Sequence, residues 1–282
     1  MIKIKKSVWI TILFISIGVV VAVAVFLFRY MNPQEPGRDA FTSTAKATEA
    51  VPSGTFARST PYTAPDEAET ASPTTVAWGN RLAQMSGVDI DFNELNAINP
   101  DVYAWLFVPN TNVDYPVARS SRDGDDSFYL EHNIYRQYQF SGMIYSEIRN
   151  NPDMHDRVTV MYGHNMLNGS MFASLHNFED KDFFDENNTI FVVTKDKIFT
   201  YLIYSAYTFD DRHILNSFSL NDDEVFQEYI NSTLHPHSYN ANVREGVELT
   251  TNNKILTLST CTSGASNTRY LVQGVLVDER NR

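Results

Sequence analysis

The chain has 282 residues, is 43% hydrophobic and 13% aromatic, and sets 22 Lys and Arg against 34 Asp and Glu, a formal charge of −12. That acidity argues against a nucleic-acid partner, whose phosphates call for the opposite sign. The single cysteine excludes an internal disulfide and a thiolate zinc cluster, and no HExxH metal motif occurs.

Three lysines, Lys3, Lys5 and Lys6, precede an uncharged run at residues 8–28, VWITILFISIGVVVAVAVFLF. As a helix this run is about 31 Å long, enough to cross the hydrocarbon core of a bilayer. It is longer than the core of a cleavable signal peptide, and the RYMNPQEPGRDA that follows it offers no convincing small-x-small site. The expectation is therefore an uncleaved transmembrane anchor at 8–28 behind a cytoplasmic N-terminus at 1–7, with the rest of the chain outside. Residues 29–75 are rich in Ala, Thr, Ser and Pro without apolar periodicity, which predicts a flexible extracytoplasmic stalk. Residues 76–282 are long enough for one ordinary domain.

Within that domain, TVAWGNRLAQMSG and DFNELNAIN read as one or two short leading helices. YAWLFVP and VDYPVAR read as strands around an NTN turn, followed by short strands at SGMIYSE and RVTVMYG. SMFASLHNFEDKDFFDEN reads as short helical turns, and TIFVVT and IFTYLIYSAYTF as strands about KDK. NDDEVFQEYINSTL predicts a helix that Asn221 would cap, with acids in its first turn. NKILTLST and RYLVQGVLVDE close the chain as strands. Seven or eight strands without regular strand–helix alternation predict a mostly β protein, a closed or nearly closed barrel with inserted helices.

Cys261 ends an apolar strand pattern and opens the polar loop TSGASN. On composition it stands as a buried filler, a link to a second chain, or a nucleophile held by the strand and exposed by the loop. His164 follows the strand RVTVMYG, where Gly163 permits a tight exit. Local signals leave His164 open between a structural and a catalytic histidine. His132, His155, His176, His213, His235 and His237 read as solvated or structural. Arg269 starts the strand after the loop, so a turn between the two strands brings it to the rim that carries Cys261. There it is either a surface ion-pair partner or a permanent cation for developing negative charge.

YGHNMLNGSMFASL at 162–175, LTLSTCTSGASNTRY at 256–270 and FYLEHNIYRQYQFSGMIY at 128–145 resemble the signatures of sortases, more narrowly of class B. The resemblance implies an eight-stranded β-barrel with N-terminal helices and an inserted helix before the penultimate strand, preceded by a transmembrane helix. It implies His164, Cys261 and Arg269 as catalytic residues, with Thr260, Ser259, Asn165 and Tyr162 about the substrate, and neither cofactor nor metal. The implied activity is a cysteine transpeptidase that cleaves a C-terminal Pro-x-Thr sorting signal after threonine and passes the acyl group to an amine. The implied partners are exported proteins carrying that signal, a peptidoglycan precursor or cross-bridge amine, and the lipid bilayer through the N-terminal helix. The implied location is the cell membrane, single-pass, with the catalytic domain on the extracellular face. A thiol protease or amidase on the same barrel, and a non-catalytic cell-wall-binding domain, are the alternatives.

Overall fold

The computed structural model describes residues 90–122, 124–262 and 267–282. A short helix, α1 (Phe92–Ile98), leads into β1 (Val102–Phe107), β2 (Asp114–Arg119), β3 (Ile144–Ser146) and β4 (Val158–Tyr162). A 3-10 turn (Ala173–Glu179) and α2 (Lys181–Glu186) precede β5 (Thr189–Thr194) and the long β6 (Lys197–Asp210). Helices α3 (Ile214–Ser217) and α4 (Asp223–Leu234), then the two-residue β7 (Asn242–Val243), separate β6 from β8 (Ile255–Cys261) and β9 (Thr268–Asn281).

The strands follow the order β5-β1-β2-β3-β4-β8-β9-β6, and β6 pairs back onto β5, so eight strands close a barrel while β7 extends the edge of β6. Closure pairs both edges of the eight barrel strands with one another. Two neighbouring pairs are parallel, β2–β3 and β4–β8. The second of these positions the site, because parallel strands end at the same rim. Period-two alternation sorts the side chains: Leu256, Leu258, Tyr270 and Val272 fill the interior, while Ile255, Leu271 and Val275 face an outer cluster.

Helix α4 covers that outer face with Phe226, Tyr229 and Ile230, all buried. Each such side chain contributes about 1.5–3 kcal/mol on burial. The cap is Asp222, whose carboxylate accepts from the Glu224 and Val225 amides, one residue after the expected Asn221. Beneath the helix lies Gln273, fully buried. Its Nε2 donates to Tyr229 Oη (2.8 Å) and Thr257 Oγ1 (3.0 Å), and its Oε1 accepts from Tyr204 (3.3 Å) and Tyr207 (3.4 Å). Gln273→Ala empties this space and strips partners from buried hydroxyls, so it should cost about 2–4 kcal/mol, read as a lowered midpoint in chemical denaturation.

The barrel, its leading helix and the helix inserted before the penultimate strand match expectation. One part of the expected fold is corrected. No helix among the described residues is long and apolar enough to cross a membrane. The transmembrane element of the fold, and with it the single-pass cell-membrane location, is withdrawn on that finding. The run at 8–28, the stalk at 29–75 and the first leading helix fall outside the described residues.

Candidate active site

Strand β8 lies between β4, parallel to it, and β9, antiparallel to it. The β4–β8 register ends at Tyr162 opposite Ser259, so the chain leaving β4 through Gly163 and His164 emerges beside the end of β8. The β8–β9 register ends with Cys261 opposite Arg269. Three strand ends thus bring His164, Cys261 and Arg269 to one rim. All three line a groove of about 520 Å³, together with Tyr145, Glu147 and Tyr162.

Cys261 is exposed, which removes the buried-filler reading. Thr260 and Ser259 are 2% and 4% exposed and contribute to the groove's floor. The Thr260 hydroxyl is buried without a hydrogen-bond partner among the described residues. Burial, and then the Glu147 carboxylate, push the Tyr162 phenol far up. Tyr145 stacks on Tyr162 with ring centres 5.4 Å apart. Its phenol is raised by burial and then by Glu147, while the Arg269 guanidinium opposes the shift. Arg269 Nη1 also donates to the Thr268 carbonyl at 3.1 Å.

His164 Nε2 lies 2.9 Å from the Leu130 carbonyl oxygen. A carbonyl only accepts, so Nε2 carries the proton and the neutral ring keeps its lone pair on Nδ1. Phe140 stacks on the ring at 5.1 Å. Burial lowers the pKa of His164 below the ordinary histidine value, opposed by the Leu130 hydrogen bond and by Glu131. The neutral base is therefore favoured. Gly163 serves packing rather than backbone freedom: a Cβ there would meet Ile144 Cδ1 at 2.5 Å and the Phe172 ring at 2.9 Å. Its φ is not in the left-handed region.

Asn165 does not line the groove; its amide donates to the Cys261 carbonyl oxygen at 3.0 Å. Sequence reasoning missed two features. His176, expected to be solvated or structural, lies with Nε2 3.0 Å from that same carbonyl oxygen. Glu147, 8% exposed in its side chain, forms a short hydrogen bond to His213 in the groove wall. Both depend on contacts distant in sequence, and no local spacing signals them.

The sortase domain family matches residues 106–277. Sortase B of Listeria monocytogenes is 31% identical over 192 residues, covering 66% of this chain and 74% of that protein. The crystal structure of Clostridium perfringens sortase B is 34% identical, with a TM-score of 0.58, covering 66% of this chain and 99% of that one. A Streptococcus pyogenes class B sortase involved in pilus biogenesis is 28% identical, with a TM-score of 0.57, covering 67% and 98%. The chain belongs to the sortase family and, within it, to class B, the cysteine transpeptidases.

Proposed function

We propose that Cys261, His164 and Arg269 carry out transpeptidation on a sorting signal of the Pro-x-Thr type. The observation that carries this reading is that a thiol, a neutral imidazole and a guanidinium line one groove at the common end of β4, β8 and β9. His164 takes the thiol proton as Cys261 Sγ attacks the threonine carbonyl carbon. Arg269 stabilises the charge that develops on the carbonyl oxygen, or positions the peptide for attack. The C–N bond breaks, His164 returns the proton to the leaving amine, and a thioester remains on Cys261. An amine from a peptidoglycan precursor or cross-bridge then attacks: a new C–N bond forms, the C–S bond breaks, and the proton passes through His164 back to the thiol. Thr260, next to the nucleophile in β8, lines the same groove.

The test incubates the full chain with a Pro-x-Thr peptide, with and without glycine oligomers or diaminopimelate as acceptors, and separates the products by mass. Transfer predicts an amide between the threonine fragment and the amine that displaces the hydrolysis product as amine concentration rises. Cleavage without any ligated product would favour the thiol protease or amidase. Peptide binding without cleavage would favour a wall-binding domain.

A further inference from the structure

We propose that Asn165, His176 and Glu179 form a positioning device that holds the backbone of Cys261 from behind the groove. This inference rests on the catalytic reading of Cys261 and His164.

On one edge of β8, alternate carbonyls face β4. The Ser259 carbonyl accepts from the Gly163 amide at 3.2 Å. Two residues on, the Cys261 carbonyl faces the same edge, but the β4 register has ended at Tyr162. Two side chains take the place of the missing strand: Asn165 Nδ2 and His176 Nε2 each lie 3.0 Å from Cys261 O. Asn165 Nδ2 and His176 Nε2 are themselves 3.1 Å apart.

Asn165 comes from the loop that begins at His164, and His176 from the 3-10 turn (Ala173–Glu179) that follows it. That loop is closed by the Asn165–Met171 bridge and by the Phe172 amide donating to the His164 carbonyl at 2.9 Å. His176 is fixed on both sides. Its Nδ1 lies 2.6 Å from Glu179 Oε1, and its ring stacks on the buried Tyr270 at 4.8 Å. The amide of Asn242 donates to the Phe178 and Glu179 carbonyls and pins the end of the 3-10 turn.

The hydrogen bonds close in either protonation state. Glu179 accepts from Nδ1–H. When Nε2 also carries a proton, it donates to Cys261 O alongside Asn165. When it does not, it accepts the second amide proton of Asn165, whose first goes to Cys261 O. In both cases the neighbour of the histidine base is tied to the backbone of the nucleophile. The separation of base and nucleophile is then set by backbone hydrogen bonding, without Asn165 or His176 entering the groove. Both are positioning residues.

Because the chain has one cysteine, carbonyl-13C cysteine labelling of the full chain gives a single carbonyl resonance from Cys261. That resonance, and kcat and KM for Pro-x-Thr peptide cleavage, would be followed in Asn165→Ala, His176→Ala, His176→Gln and Glu179→Gln. The resonance should move upfield in Asn165→Ala, which removes a donor in either protonation state, and in His176→Ala at a pH where Nε2 carries its proton. In His176→Ala kcat should fall about tenfold with KM within about twofold, the pattern of misplaced reacting groups. His176→Gln offers an amide where Nε2 stood and should restore most of both signals, and Glu179→Gln, which keeps an acceptor for Nδ1–H, should lie close to wild type. A resonance that does not move in either alanine variant would overturn the proposal. So would a glutamine variant no better than alanine. If the wild-type chain turns over no peptide, the transpeptidase reading fails and the carbonyl resonance alone decides this one.

Discussion

Cys261→Ala is expected to lower peptide cleavage by about 10⁴–10⁶-fold, to background, as loss of a covalent nucleophile does elsewhere. The melting temperature should stay close to that of the wild type. Cys261 is exposed at the last position of β8, and truncating its side chain empties no buried volume. Activity and stability therefore separate cleanly in this variant. A cysteine that served packing would instead cost stability and leave turnover intact.

His164→Ala should lower kcat by about 10²–10⁴-fold, the range for a positioned acid–base group. The pH profile carries the sign of the argument. Burial depresses the pKa of His164 below 6.5, so the ring remains neutral as the pH falls through that value and takes up a proton only at lower pH. A base must be neutral to act. The acid limb of kcat/KM should therefore lie below pH 6.5, the ordinary histidine value. Phe140→Ala opens the stacked face of the ring to water and should move that limb upward toward the ordinary value. An acid limb above it in the wild type, or one that Phe140→Ala leaves in place, would contradict burial as the cause.

Most of the barrel is legible in sequence because its strands obey the period-two rule. β8 alternates Leu256 and Leu258 inward with Ile255 outward, and β9 continues with Tyr270 and Val272 against Leu271. Helix α4 is legible from its acidic first turn, although Asn221 and Asp222 are adjacent capping candidates and the structure uses the second. The proposed catalytic trio is legible through the resemblance of the motifs at 162–175 and 256–270 to sortase signatures; that their strand ends share a rim follows from the parallel β4–β8 pairing, which no local pattern reveals. Gly163 was legible as special but for another reason, since the constraint is the Phe172 ring and not a backbone angle. His176 was hidden for the same kind of reason. Its acidic neighbours suggest a solvated side chain, whereas its function in the fold depends on where β4 stops relative to β8.

The central claim is that Cys261 carries the acyl group between two amines. Intact-mass spectrometry of the full chain, quenched in acid during turnover of a Pro-x-Thr peptide, tests it most directly. The account predicts an adduct equal to the fragment ending at threonine, located on Cys261, released by hydroxylamine and absent from Cys261→Ala. Cleavage that proceeds with no adduct in wild type, or an adduct that persists in Cys261→Ala, would contradict it.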